Sequence, residues 1–211
     1  MSTLPRAVLD AADISAITQL VLTERASRDA GDWDRMHDCF HPDSSVRLSW
    51  FSGTGPDFVK GSIDMAKRGV LAKHRLGPVL VRLSGDRGLA TFSGIIDIPV
   101  MIGGVDAQLS SHARFLYRTE RRADRWRIFS FDAVYLRDEL TPALPGQSLS
   151  VTAESVARFR KSYRMLSFVL TSQGYAVNGD LPGDDRPETV AAIMGEIETW
   201  LVTRSKRDLP A

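Results

Sequence analysis

The stretch SRDAGDWDRMHDCF, residues 27 to 40, ends one predicted helix and begins another. Gly31 stops the first helix, since glycine favours the backbone conformation that follows a helix end. Asp32 caps a second, shorter helix that runs through Phe40. The carboxylate of Asp29 therefore lies at the junction of two helices, and its orientation decides what the junction can do.

The first helix is predicted to begin at Asp13 as its N-cap, and its apolar side chains recur at helical spacing at Ile14, Ile17, Val21 and Leu22. Asp29 follows Leu22 by seven residues and Arg25 by four, which places it on or beside the inward face. The alternative is that Asp29 pairs with Arg25 or Arg28 near the surface.

Composition describes an ordinary globular chain with one domain and a real core. Of its 211 residues, 43% are hydrophobic and 25% are charged, and the net charge of +1 provides no field for nucleic acid or anionic membranes. Cys39 is the only cysteine, which excludes an internal disulfide and a thiolate metal cage. The N-terminal residues lack the apolar core of a signal peptide, and the longest apolar run, residues 93 to 104, is too short to span a bilayer. A cytoplasmic protein without nucleic-acid or membrane partners is expected.

Helices come first along the chain, and long extended runs follow. A strand is predicted over residues 46 to 51, and a helix beginning at Pro56 is closed by Gly69. The extended runs cover residues 73–84, 88–102, 105–120 and 125–137. The segments between them have hairpin turn chemistry, so the runs predict an antiparallel meander. This order indicates an α+β fold in which a curved sheet closes over the N-terminal helices.

Composition changes again at the Pro/Gly/Ser-rich residues 141–150, which predict a linker. Helices are expected over residues 152–173 and 187–203, with Pro187 in a first helical turn. The predicted division is a domain of residues 1–146 and a helical extension of residues 147–211 that packs on that domain or on a dimer partner.

Four histidines offer candidate chemistry. His37 and His41 have the spacing of a zinc-protease motif, but Pro42 stops the helix and no third ligand is apparent, so no metal is predicted. His74 begins an extended run. Alternation places His112 on the same sheet face as Arg114 and the core-type Leu116. Histidines and an arginine that converge inside a curved sheet would have to serve one another or a ligand, because burying polar groups costs free energy.

Residues 10 to 140 resemble the SnoaL-like branch of the NTF2-like superfamily, whose cone-shaped α+β fold is shared with ketosteroid isomerase and scytalone dehydratase. Scytalone dehydratases have an aspartate, two residues and then DWDR, as here in Asp29 followed by residues 32–35. His74 and Trp126 also correspond. This resemblance, and that to hexachlorocyclohexane dehydrochlorinase, implies that Asp29 orients His74 and that His74 takes a proton from the substrate.

The sequence also departs from that family around the expected pocket. Arg28 replaces a tyrosine beside the aspartate, Trp50 replaces a second pocket tyrosine, and Val100 lies near the position of a second histidine. His112 and Arg114 fall where the family places a serine and an asparagine, which implies a more cationic pocket. The expected substrate-binding residues are Trp50, Val100, His112, Arg114 and Phe115.

The resemblance implies a homodimer and a cofactor-independent lyase, dehydratase-like, or isomerase acting on a hydrophobic cyclic or aromatic small molecule. Arg114 or His112 would stabilise the developing oxyanion or assist the leaving group. Two alternatives stay open: a non-catalytic ligand-binding or scaffold protein, and a small subunit of a ring-hydroxylating oxygenase. A buried contact between Asp29 and His74 that opens on a cavity favours the enzyme, and a filled cone favours the alternatives.

Overall fold

A computed structural model describes residues 5–203 of the chain. The helices are α1 (Arg6–Ala30), α2 (Trp33–Asp38), α3 (Gly55–Lys67), α4 (Ala153–Val156), α5 (Arg164–Ser172) and α6 (Pro187–Val202), with a 3₁₀ turn at Lys161–Tyr163. The strands are β1 (Phe40–Leu48), β2 (Phe51–Thr54), β3 (Lys73–Leu76), β4 (Leu80–Ser84), β5 (Arg87–Ile102), β6 (Val105–Arg122) and β7 (Arg125–Pro142). The predicted α+β class is confirmed.

The strands form one curved, open sheet in the order β2-β1-β7-β6-β5-β3, and β4 also pairs with β5. Strands β5, β6 and β7 form the predicted antiparallel meander, whereas β1 runs parallel to β7. The expected run over residues 73–84 is two strands that both pair with β5. Gly77 and Pro78 lie in the break, and a proline has no N–H to donate to a strand ladder.

The junction of α1 and α2 has the predicted local chemistry. Gly31 adopts a left-handed conformation with φ +76°, and Asp32 accepts a hydrogen bond from the backbone N–H of Arg35. The beginning of α1 was predicted wrongly, because the helix begins seven residues before Asp13. The Asp13 carboxylate instead accepts a hydrogen bond from Trp126 Nε1 at 2.8 Å, which ties α1 to the hairpin of β6 and β7.

The two faces of the sheet cover different cores. On β6, Ala113, Phe115 and Tyr117 face the inner core together with α1 and α3, as strand alternation requires. Leu116 faces the other way, into a smaller cluster that α6 covers with Ile193, Ile197 and Leu201. The inner face therefore builds the concave side of the cone.

The C-terminal extension packs on both faces. Residues 152–173 were predicted as one helix, but they form α4, the 3₁₀ turn and α5. Tyr163 packs on Tyr135 of β7 with ring centroids 4.7 Å apart, and Leu166 and Leu170 of α5 belong to the inner core. Helix α6 begins at Pro187, as predicted. The division of the chain at residue 146 stays a prediction.

Within residues 5–203, none of the helices is both long enough and apolar enough to cross a membrane.

Candidate active site

Asp29 and His74 meet where the end of α1 contacts the start of β3. Asp29 Oδ1 lies 2.6 Å from His74 Nδ1, and Oδ2 accepts the backbone N–H of His74 at 2.7 Å. The side chain of His74 is 4% exposed and that of Asp29 is 21% exposed. Since both carboxylate oxygens hold the same residue, the position of the imidazole ring is fixed relative to α1.

The protonation state of the pair follows from its contacts. Burial acts to raise the pKa of Asp29, but the hydrogen bonds from His74 and the charges of His74 and Arg25 outweigh it, so the pKa is lowered. Asp29 is therefore a carboxylate that accepts, and Nδ1 of His74 carries the proton. The other ring nitrogen, Nε2, keeps its lone pair and accepts a hydrogen bond from Arg25 Nη1 at 3.3 Å.

Burial lowers the pKa of His74 to about 4. Asp29 acts to raise it, whereas the charges of Arg25 and Arg28 lower it further. His74 is therefore neutral at physiological pH, which is the state that a proton acceptor needs.

Arg25 is held by a buried charge cluster that the sequence analysis did not predict. Its Nε donates to Glu24 Oε2 at 2.5 Å, its Nη2 also pairs with Glu24, and Tyr117 donates to the same carboxylate at 2.9 Å. The guanidinium lies 5.0 Å from the centre of the Phe131 ring, a cation–π contact.

Helical spacing could have found this cluster. Glu24 follows Val21 by three residues and Ile17 by seven, which places its carboxylate on the buried face of α1. Glu24 and Arg25 are 0% and 2% exposed. An adjacent acid and base on a predicted apolar face indicate a buried ion pair, because neither charge can be buried alone without a large cost.

The cavity beside His74 has a volume of about 40 Å³. Its walls are largely apolar and include Trp50, Phe58, Phe115, Phe131, Leu166 and Leu170. Arg25, Arg28, Ser49 and His74 provide its polar groups. Walls of this kind favour a hydrophobic ligand with few polar groups, because most of the ligand surface would meet apolar side chains.

The structure brings some of the expected binding residues to this cavity and not others. Trp50 and Phe115 line it. Val100 lies on β5 one pleat beyond Ile98, at the edge of the core, and does not line the cavity. Helix α5, which belongs to the predicted C-terminal extension, contributes Leu166 and Leu170 instead.

His112 and Arg114 lie on the outer face of β6, away from the cavity. They alternate with the inward residues Ala113 and Phe115, and His112 Nε2 is 3.6 Å from Glu139. Leu116 was correctly recognised as a core residue, but its core is the cluster beneath α6. A period of two shows which residues share a face, and it does not show which face encloses the cavity. Arg25 and Arg28 are the cations of the cavity instead.

His37 and His41 do not form a helical pair, because α2 ends at Asp38 and His41 lies on β1. His41 Nε2 is 3.0 Å from the backbone oxygen of Glu120. Across residues 5–203, no group of three or more His, Cys, Asp or Glu side chains is placed to hold a metal ion.

The curved sheet, its helices and the enclosed cavity define an NTF2-like cone, a fold also found in an NTF2-like protein of Novosphingobium aromaticivorans. The SnoaL-like domain family matches residues 10–132, which is more than half of the chain. The protein belongs to this family.

Two fungal proteins are similar in sequence. The uncharacterized protein AN9274 of Emericella nidulans is 25% identical over 168 residues, which cover 75% of this chain and 71% of that protein. An uncharacterized protein of Aspergillus terreus is 26% identical over 177 residues, which cover 75% of this chain and 65% of that protein. The chain thus spans about two thirds of the length of these relatives.

Two solved structures are similar in fold. The hexachlorocyclohexane dehydrochlorinase LinA type 2 matches with a TM-score of 0.52 and 18% identity, over 67% of this chain and 95% of that chain. A scytalone dehydratase-like protein of Novosphingobium aromaticivorans matches with a TM-score of 0.52 and 12% identity, over 66% of this chain and 97% of that chain. At these identities the likeness shows the fold alone.

Proposed function

We propose that the protein is a cofactor-independent lyase or isomerase that removes a proton from a hydrophobic cyclic or aromatic small molecule. The observation that carries this proposal is the buried contact between Asp29 and His74 beside a largely apolar cavity. A histidine that is neutral, fixed in one tautomer and adjacent to an apolar cavity has what general-base catalysis requires.

In the proposed reaction, Nε2 of His74 takes a proton from a carbon next to an activating group. The electron pair of the broken C–H bond moves toward that group and forms an oxyanion, or it expels a leaving group from the neighbouring carbon. Asp29 stabilises the imidazolium that forms, and Nδ1–H stays bonded to it. The imidazolium then returns its proton to the leaving group or to another carbon, so no external reactant is needed.

Arg25 takes the electrostatic role that the sequence analysis gave to Arg114 or His112. Its Nη1 lies 3.3 Å from His74 Nε2, so a substrate that reaches Nε2 also meets the guanidinium. Glu24 and Tyr117 hold Arg25 in place, which makes it a preorganised donor for negative charge that develops in the transition state.

The names of the two structural neighbours fit this reaction class, since a dehydrochlorinase and a dehydratase both eliminate a small group.

One observation favours a second candidate, a non-catalytic binding protein: Arg25 already donates to Nε2 and must shift for that nitrogen to accept a proton. A cavity of about 40 Å³ is also compatible with the nearly filled cone that the oxygenase-subunit alternative expected.

The experiment is a screen of the purified chain against hydroxylated and halogenated aromatic or alicyclic ketones, with elimination followed by ultraviolet absorbance and chromatography. General-base catalysis predicts that His74→Gln loses about 10²- to 10⁴-fold in kcat/KM. The matched control is His112→Gln, which removes a histidine from the outer face and is expected to keep full activity. Turnover that survives in His74→Gln would refute the proposal.

We also propose that the chain forms a homodimer, as its resemblance to this superfamily implies. Support comes from the outer face of β5, where Ser93, Ile95 and Pro99 lie outside the cluster that α6 covers. Sedimentation equilibrium should give twice the chain mass of 23.3 kDa. A mass of one chain at micromolar concentration would contradict the proposal.

A further inference from the structure

Arg28 is a buried guanidinium that the cavity leaves without an anionic partner. It is 8% exposed, and its Nη2 contacts Met65 Sδ at 3.4 Å. Its guanidinium also lies 5.9 Å from the centre of the Trp50 ring. Among residues 5–203, no carboxylate or carbonyl oxygen accepts a hydrogen bond from it. Thioether sulfur is a weak acceptor, so these contacts do not compensate for removing the charge from water.

Arg25 provides the comparison within the same helix. Both arginines are buried and both line the cavity, but Glu24 satisfies Arg25 through two contacts. Asp29, the other carboxylate nearby, has both oxygens bonded to His74. Every carboxylate of the site therefore has a partner already, and Arg28 is the charged group left to a ligand.

We infer that the substrate carries an anionic oxygen group, a carboxylate in the simplest case, on its hydrophobic ring, and that Arg28 binds this group while His74 faces a C–H bond. The inference rests on the proposed function for the role of His74, and it adds the class of substrate. A planar guanidinium matches a carboxylate through two parallel hydrogen bonds, so Arg28 would fix the orientation of the ring as well as its charge.

The charge balance of the cavity agrees with an anionic substrate. With His74 neutral, Glu24 and Asp29 balance Arg25 and Arg28. Proton transfer from the substrate to His74 leaves the total charge of the site unchanged, because the substrate gains the negative charge that balances the imidazolium. An anionic group on the substrate adds one negative charge, and Arg28 is the cation of the cavity that has no carboxylate bonded to it. Because Arg28 lowers the pKa of His74, pairing Arg28 with an anion also makes His74 a stronger base.

The test is calorimetric titration of the full chain with 2-naphthoate and with the neutral 2-naphthamide, which have the same ring and differ in charge. Hydrogen bonds to a charged group predict that wild type binds the acid at least about tenfold more tightly than the amide. Arg28→Gln should abolish this preference and leave the Kd for the amide within about threefold of wild type. Arg28→Lys should retain part of it. Lys67→Gln, which removes an exposed cation from α3, is the matched control and should bind both as wild type does.

Equal binding of acid and amide by wild type would overturn the inference, and that comparison requires no variant to fold. A preference for the acid that persists in Arg28→Gln would also overturn it. The outcome is separable from that of the proposed function, because binding is measured without turnover. Turnover that survives in His74→Gln refutes the proposed reaction even where the naphthoate preference holds, and equal binding of acid and amide by wild type removes the anion site even where His74 is essential.

Discussion

Asp29 holds His74 at two points, with Oδ1 on the ring nitrogen Nδ1 and Oδ2 on the backbone N–H. One carboxylate thus joins the end of α1 to the first residues of β3 and fixes the imidazole ring. A helix end that serves only as a solvated cap would not place both oxygens on a residue 45 positions away. The contact selects the tautomer in which Nε2 carries a lone pair, and Arg25 donates to that lone pair.

Asp29→Asn should reduce activity by about 10²- to 10⁴-fold while the chain stays folded. The amide can present its NH₂ to Nδ1, which moves the imidazole proton to Nε2 and removes the base. Steady-state kinetics on the compound found in the screen measures the effect. Asp64→Asn, at an exposed position of α3, is the control and should leave the activity unchanged. Full activity of Asp29→Asn would show that the carboxylate does not orient the base.

The folded protein should lose stability as the pH falls from 6.5 to 4. The pKa of His74 is lowered from its ordinary 6.5 to about 4, so over this range the unfolded chain binds a proton that the folded chain does not. The contribution of His74 to the free energy of unfolding is complete above pH 6.5 and amounts to about 3 kcal/mol. Urea unfolding of wild type and His74→Gln at pH 7 and pH 4 measures it.

The free energy of unfolding of His74→Gln is expected to depend less on pH than that of wild type, whereas His112→Gln should follow wild type. Nitrogen-15 NMR of the imidazole ring should agree, with Nδ1 protonated at neutral pH and titration near pH 4. Parallel curves for wild type and His74→Gln would mean that His74 is not buried in its neutral form.

Glu24→Gln should destabilise the protein by about 3 to 5 kcal/mol, because it leaves the buried Arg25 without its carboxylate. Glu198→Gln is the matched control, since Glu198 also pairs with an arginine, Arg82, but on the surface. The control should change little, because water screens an exposed pair. Chemical denaturation compares the three proteins, and equal stability of both variants would contradict the account of the buried cluster.

Removing residues 151–211 should cause aggregation or loss of the fold. The truncation exposes Tyr135 on the inner face and Leu116 on the outer face, and it opens the cavity wall that Leu166 and Leu170 provide. Burial of each large apolar side chain is worth about 1.5 to 3 kcal/mol. Light scattering and thermal denaturation test this. A truncated chain that is monodisperse and as stable as the full chain would show that the extension is an independent appendage.

Features set by neighbouring residues could be predicted from the sequence. The helix end at Gly31, the cap at Asp32 and the first turn at Pro187 depend on local backbone chemistry, and the structure has all three. The break at Pro78 was visible in the sequence as well, but the run of β-type residues on both sides of it concealed two strands.

Features set by distant contacts could not be predicted in the same way. The parallel pairing of β1 with β7 joins segments about 85 residues apart, and no local pattern specifies it. The position of His112 and Arg114 depends on which face of β6 meets α1 and which meets α6. Arg25 and Arg28 were considered as surface partners of Asp29, and only the packed helix shows that both line a cavity.

The central claim is that His74 takes a proton from a bound carbon acid, and hydrogen exchange in D₂O tests it most directly. The chain is incubated in D₂O with a panel of cyclic and aromatic ketones, including some that carry a carboxylate, and proton NMR follows deuterium incorporation or elimination. The account predicts that wild type exchanges or eliminates at least one compound about 10²-fold faster than His74→Gln does. Equal rates in wild type and His74→Gln across the panel, including equal absence of reaction, would contradict it.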